Sequence, residues 1–200
     1  MITLDVIQGT DEWSAARCGM LSASNFDKVV TTTGEPSKQR QKYLYQLVGE
    51  RIVGARECAY ENESMRRGRE LESEARTLYE LLTDMPVQEV GLCYPDERKL
   101  VCCSPDGLVG EDGGLEIKCP SLPTHIEYVI GGKLPTEYIQ QVQGNLYVTG
   151  RKWWSFMSYY PGIKPLIVRV ERDEAFIAKL KDALEQCCSE LEVLTERISA

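Results

Sequence analysis

The chain has a single histidine, His125, and its eight cysteines, at positions 18, 58, 93, 102, 103, 119, 187 and 188, include no C-x-x-C pair. A zinc site of ordinary spacing therefore lacks ligands, and two vicinal pairs do not make a disulfide framework, so reduced thiols in a cytosol are expected. An iron–sulfur cluster would need grouped thiolates, which these spacings do not provide. Long apolar runs are absent too, which excludes a hydropathy-type membrane span. The opening residues MITLDVIQGTDEW carry no basic n-region and no long apolar h-region, so no secretory signal is expected. Basic charge is in deficit: 23 Lys and Arg stand against 31 Asp and Glu, a net charge of −8. That argues against a protein coating nucleic acid with its whole surface, yet leaves room for a locally basic groove. No internal repeat, linker or low-complexity segment breaks the chain, so 200 residues at 42 % hydrophobic are read as one domain, 1–200.

What is present is concentrated between Cys102 and Pro120, CCSPDGLVGEDGGLEIKCP. The pattern predicts a hairpin whose turn is Gly110 to Gly114. Glu116 and Lys118 are two apart, so on a strand both side chains leave one face. Across the hairpin Asp106 meets Glu116, since opposed residues lie about 5 Å apart. Two adjacent carboxylates repel unless a cation lies between them, and magnesium, which prefers oxygen ligands and keeps several waters, answers that need. Lys118 would lie beside it, able to orient or deprotonate an attacking water and to offset phosphate charge. A Glu-x-Lys alone reads as a solvated ion pair. Preceded by Ser104-Pro105-Asp106-Gly107, it is the pattern of the PD-(D/E)xK nuclease core.

Around that stretch the chain predicts an extended Ile2 to Ile7, then a short helix with Asp11 and Glu12 in its first turn and Trp13 packed inward. A second helix is expected over Asn25 to Val30. Ser24, with Asp27 three residues on, reads first as a capping box; beside Arg17 at a helix N-terminus it also reads as part of a phosphate pocket. Residues 31–36 are a loop. Ser37 to Val53 is an amphipathic helix with Tyr43, Leu44, Leu47, Val48 and Ile52 inward. Between Pro36 and Arg56, five basic residues (Lys38, Arg40, Lys42, Arg51, Arg56) stand against Glu50 alone, which suits a DNA-backbone surface or a solvated helix face. The helix Arg66 to Thr83 has Leu71, Ala75, Leu78 and Leu82 as its core stripe, and Glu72 beside it is either a third acid for the centre or a half-buried ion-pair partner.

Strands are expected at Val87 to Tyr94, Leu100 to Cys103, Leu108 to Val109, Leu115 to Lys118, Trp153 to Tyr159 and Leu166 to Glu171. A variable loop follows Ser121. Pro135 opens a helix to Thr149, with Gln141 and Gln143 beside its apolar stripe, Gln141 being an active-site or a surface amide. Asp173 to Ser199 closes the chain as a long helix. Residues 171–200 hold eight acidic and four basic residues, so this end should face away from DNA.

The chain resembles the phage lambda-type alkaline exonuclease family, the YqaJ-like viral recombinase branch of the PD-(D/E)xK nucleases. The matching segments are Gln8-Gly9-Thr10 with Trp13, Arg17, Gly19, Ala23 and Ser24; Gly68 to Ala75; Cys103 to Gly107; Leu115 to Pro120; Tyr138 to Gln143; and Glu171-Arg172-Asp173. They run through nearly the whole chain in the family's order. The resemblance implies an α/β (α+β), restriction-endonuclease-like fold: a central mixed β-sheet flanked by helices. It implies that Asp106, Glu116 and the carbonyl of Ile117 bind magnesium, manganese substituting. Glu72 would be the helix-borne acid, Lys118 the catalytic lysine and Gln141 the active-site glutamine. Arg17, Ser24 and Ser104 would hold the 5′-phosphate, which favours the pocket reading of Ser24. The implied activity is 5′-to-3′ digestion of linear duplex DNA to mononucleotides, leaving a 3′ overhang. The implied setting is a homotrimeric ring working beside a phage single-strand annealing protein in a bacterial cytoplasm. Thr31 to Met65 departs most from the family pattern. Two rivals are a structure- or site-specific endonuclease on the same core and a non-catalytic DNA-end-binding module.

Overall fold

The computed structural model describes residues 1–56 and 63–199; Cys58 and the rest of 57–62, within the stretch that departs from the family pattern, lie outside the described residues. The chain runs β1 (Ile2–Leu4), α1 (Asp11–Ala16), β2 (Leu21–Ser22), a 3-10 turn (Ala23–Lys28), α2 (Arg40–Val53), α3 (Glu63–Thr83), β3 (Val87–Gln88), β4 (Leu92–Tyr94), β5 (Val101–Cys102), β6 (Gly107–Val109) and β7 (Gly113–Lys118). It continues through α4 (Leu122–Gly131), a short 3-10 turn (Thr136–Tyr138), α5 (Ile139–Thr149), β8 (Trp153–Ser158), β9 (Leu166–Glu171) and α6 (Glu174–Ser199).

The central sheet has the order β3-β6-β7-β8-β9, antiparallel throughout except between β7 and β8. A parallel pair needs a crossover, and α4 and α5 supply it. Period-two alternation decides which helix covers which face. Trp153 and Met157 of β8 face α3, packing with Ala75 and Tyr79, while Trp154 and Phe156 face α5, packing with Val142 and Leu146. Each fully buried aromatic or leucine contributes about 1.5–3 kcal/mol. Gly114 lies opposite Trp154 in register, and a Cβ there would come within 2.2 Å of the indole. The residues at this position must be bare so that the ring can lie flat on β7. This mixed sheet between helices is the architecture the resemblance implies.

A second core joins α2, α6 and the first 3-10 turn through Phe26, Leu44, Leu47, Leu180 and Leu184. It meets α5 at Gly144, where a Cβ would stand 2.4 Å from the Phe26 ring. Two two-stranded pairs, β1 with β4 and β2 with β5, complete the sheets, and reciprocal backbone hydrogen bonds between Cys93 and Cys103, both free thiols, link their edges. Among the described residues no helix is long and apolar enough to cross a membrane.

Several expectations are corrected. The strand over 87–94 is two strands in different sheets. Gly91 separates them because the N-terminal segment crosses there, with the Val6 carbonyl 2.2 Å from where a Cβ would be. The loop after Ser121 is α4, with a proline in its first turn and left-handed Gly132 at its end. Pro135 is extended and precedes a 3-10 turn, so α5 begins four residues later, at Ile139. The helix expected over Asn25 to Val30 is the 3-10 turn, two residues earlier. Ile52 and Leu82 are 44 % and 54 % exposed, because the apolar stripes of α2 and α3 stop before their helices do.

Candidate active site

Asp106 stands one residue before β6. The register Gly107 to Leu115 carries it opposite Glu116. Three contacts hold the Ser104-Pro105-Asp106 corner there. Gln8 donates its side-chain amide to the Val90 and Pro105 carbonyls at 2.9 and 2.8 Å, and Arg76 of α3 donates Nε to the Asp106 carbonyl at 3.1 Å. The backbone N–H of Ile117 reaches Asp106 Oδ2 at 2.5 Å.

Glu116 is 2 % exposed, a position where an unanswered carboxylate costs several kcal/mol. Three donors answer it. Oε1 accepts from Gln141 Nε2 at 2.5 Å and Lys118 Nζ at 2.6 Å, and Oε2 accepts from Asn145 Nδ2 at 3.0 Å. Gln141 and Asn145 are one turn apart on α5, so both amides leave the same face. Strand alternation turns Glu116 and Lys118 toward that face, and the ammonium stands 5.3 Å from the centre of the Tyr138 ring.

Glu72 comes from α3 on the opposite side. Arg76, one turn on, pairs with it at 2.6 Å and with Glu89 at 2.8 Å. Burial, then Glu116 and Glu72, hold the Asp106 carboxyl well above the usual aspartate range. Burial raises Glu72 as well, opposed by Arg76 and reinforced by Glu116. Burial works against the Lys118 charge, but Glu116 and Asp106 outweigh it and keep its pKa above the ordinary lysine value. The centre thus has more negative charge than its own side chains offset.

Among the described residues no three His, Cys, Asp or Glu side chains lie close enough to ligate one ion between them. The donor set that could hold magnesium is two carboxylates and a carbonyl. In a strand the N–H and C=O of one residue point to the same side, so Ile117, whose N–H meets Asp106, turns its carbonyl toward that gap. Asp106, Glu116 and that carbonyl are hard oxygen donors with coordination positions left for water or phosphate, which fits magnesium.

A second cluster adjoins this one. Arg17 is 9 % exposed; its guanidinium donates to Ser22 Oγ at 2.7 Å and Ser24 Oγ at 3.3 Å, while its Nε has no partner among the described residues. Among the described residues no carboxylate pairs with it, and burial lowers its pKa. It is a buried cation short of an anion. The guanidinium lies 4.2 Å over the Trp13 ring, and Trp13 Nε1 donates to Ser104 Oγ at 3.1 Å, so Arg17, Ser24 and Ser104 form one linked group. The capping reading of Ser24 is overturned. Ser22 occupies the N-cap position, without a capping bond, and Ser24 turns to Arg17 instead.

Two of the five basic residues over 38–56 are engaged within the fold. Arg40 is tied to Glu190 and Gln186 of α6, and Arg51 donates to the Gly19 carbonyl at 2.9 Å. His125 is fully buried between Ser158 Oγ at 2.8 Å and the Lys164 carbonyl at 3.2 Å, so both ring nitrogens are engaged within the fold. Sequence reasoning missed Asn145 and Arg76. Each had a signal, for they lie four residues after Gln141 and Glu72. It also missed that Gln143 is buried and ties α5 to the segment entering α6, through the Glu171 carbonyl and the Asp173 N–H.

The YqaJ-like viral recombinase domain profile matches residues 12–152. The chain is similar to an alkaline exonuclease (LHK-Exo) from Laribacter hongkongensis, with 39 % identity and a TM-score of 0.87 over 95 % of this chain and 96 % of that one. The same enzyme in complex with dAMP matches at 39 % identity and a TM-score of 0.86, over 94 % and 96 % of the two chains. A phage related exonuclease from Haemophilus somnus 129PT shares the fold at 14 % identity, with a TM-score of 0.71 over 90 % and 96 %. No curated protein matches significantly. With the profile spanning most of the chain and the Asp106, Glu116 and Lys118 cluster inside the matched residues, the chain belongs to the YqaJ-like viral recombinase family.

Proposed function

We propose that the chain is a magnesium-dependent 5′-to-3′ exonuclease that digests the 5′-ended strand of linear double-stranded DNA to mononucleotides, leaving a 3′ overhang for phage single-strand-annealing recombination. The observation that carries this is the register placing Asp106 opposite Glu116, with Lys118 bonded to Glu116 at 2.6 Å. Magnesium, or manganese in its place, would be held by Asp106, Glu116 and the Ile117 carbonyl; when bound it supplies Lewis-acid charge at the scissile phosphate and acidity for the attacking water. Lys118 orients that water and offsets phosphate charge. Gln141 and Asn145 keep Glu116 in place, and Glu72 adds the acid from α3.

Arg17, Ser24 and Ser104 hold the 5′-terminal phosphate, a reading supported by the uncompensated guanidinium. Fixing the terminal phosphate sets the scissile bond one nucleotide from the end, so positioning alone makes the nuclease an exonuclease. That the Laribacter relative takes dAMP supports a mononucleotide product. A homotrimeric ring around DNA would reconcile a net charge of −8 with a polyanionic substrate, by facing acid outward and base inward. An annealing protein as partner and a bacterial cytoplasm as setting belong to the same reading.

The test is digestion of end-labelled linear duplex with magnesium beside a covalently closed circle. Mononucleotides released from the linear substrate, and nothing from the circle or from Asp106→Ala, are expected. Nicking of the circle would favour the endonuclease. Equal rates on 5′-phosphorylated and 5′-hydroxyl ends would remove the assigned role of Arg17.

A further inference from the structure

We infer that a basic groove on the far side of Arg17 from the carboxylates is a separate phosphodiester track, with Lys28 and Lys42 as its contacts. The inference rests on the nuclease reading only in taking the polyanion to be DNA. Trp13 lines a cavity of about 530 Å³ together with Glu72 and Asp106. Arg17, stacked on that indole at 4.2 Å, lines a different one of about 180 Å³ with Ser22, Asn25, Lys28, Gln46 and Arg56. The Trp13–Arg17 pair is thus the partition between an acidic chamber and a basic one. Lys28, Tyr43 and Gln46 also line a neighbouring hollow of about 340 Å³ with Gln39 and Lys42, so the second chamber continues as a groove.

Its charge runs against that of the chain. Four cations, Arg17, Lys28, Lys42 and Arg56, face one carboxylate, Glu50, in those two hollows. Glu50 is already committed: Oε2 accepts from the Gly19 N–H at 3.0 Å and Oε1 from Gln46 at 2.8 Å, with Arg56 Nε 3.8 Å away. Lys28 is held 5.1 Å over the Tyr43 ring, and among the described residues neither it nor Lys42 pairs with a carboxylate. The remaining polar walls, Asn25, Gln39 and Gln46, are amides that can donate to phosphate oxygens. A groove with spare cations and amides on an acidic protein recognises backbone phosphates without reading bases. Those phosphates belong either to a 5′ single-stranded extension passing beyond Arg17 or to the complementary strand.

The experiment measures binding by fluorescence anisotropy in EDTA, across a salt series, on blunt, 5′-overhang and 3′-overhang duplexes with 5′-phosphate. The unmutated protein is compared with Lys28→Ala/Lys42→Ala and with Lys28→Arg/Lys42→Arg. Losing two phosphate contacts should reduce the slope of log affinity against log salt by about 2, which is roughly 60-fold in affinity at 0.1 M salt if the lines meet near 1 M. The arginine pair should restore both. A loss confined to the 5′-overhang duplex assigns the track to the extension; a loss on all three assigns it to the complementary strand. Unchanged slope and affinity on every duplex overturn the inference, as does a loss that the arginine pair fails to restore, since a phosphate contact requires charge. Failure of the nuclease reading would show separately, as an unmutated protein that binds these duplexes yet digests none with magnesium.

Discussion

Lys118 and Asn145 touch the same carboxylate, and their removal should separate chemistry from architecture. Lys118 reaches Glu116 from the partly exposed rim of the centre. Lys118→Ala is therefore expected to cut digestion by about 10³-fold, the scale of removing one positioned catalytic group, while the dissociation constant for DNA changes by less than about threefold. Asn145 is buried, and its amide donates to Glu116 Oε2. Asn145→Ala leaves a buried oxygen unanswered, and the expected cost is about 1–3 kcal/mol in urea denaturation, with slower turnover as Glu116 loses its fixed orientation. An Asn145→Ala protein as stable as the unmutated one would show that Gln141 and Lys118 suffice.

At the scale of elements, β7 and β8 meet across bare backbone. Gly114→Ala would drive a methyl to 2.2 Å from the Trp154 ring, in the middle of the sheet that carries Glu116, and an overpacking cost of about 1–3 kcal/mol is expected. Among the described residues nothing lies within 4 Å of where a Cβ on Gly68, inside α3, would stand. Gly68→Ala should therefore stabilise by about 1 kcal/mol, the helix propensity difference. The two substitutions are chemically identical, and thermal denaturation should give them opposite signs. The helices are placed as deliberately: α5 sets Gln141 and Asn145 on Glu116, and α3 sets Arg76 on the Asp106 carbonyl, so the centre is clamped from both faces of the sheet.

Over the whole molecule, charge governs both stability and metal response. Arg98, before β5, pairs with Asp96 at 2.8 Å and with Glu185 of α6 at 2.7 Å. Hydrogen bonding to Arg98 lowers both carboxyl pKa values. Groups so depressed stabilise the fold above the unfolded carboxylate value, about 4, and lose that contribution as pH falls through their folded values. All three are half-exposed, so Arg98→Ala should cost at most about 1 kcal/mol at pH 7, and the difference should shrink as pH falls below the ordinary carboxylate range and through the lowered folded values of Asp96 and Glu185. Manganese or magnesium at 100 times its dissociation constant should stabilise the unmutated protein by about 2.7 kcal/mol, read as a higher melting temperature. Asp106→Ala should not respond.

The order of motifs determined a good deal by itself. Pro105-Asp106-Gly107 and Glu116-x-Lys118 specify a hairpin with one carboxylate at the entry to its first strand and one on its second, because turn chemistry and period-two alternation are local. The i, i+4 spacing that brings Gln141 and Asn145 together is equally local, although it indicates a shared face without naming what that face meets. Only tertiary structure decided that this face meets Glu116, that Ser24 serves Arg17 instead of capping a helix, and that Arg40 and Arg51 are spent on α6 and Gly19 while Lys28 and Lys42 are not. The physical reason is that charge partners are chosen in space, between residues as far apart in sequence as Arg40 and Glu190. Neither composition nor periodicity encodes which of five neighbouring cations finds a carboxylate.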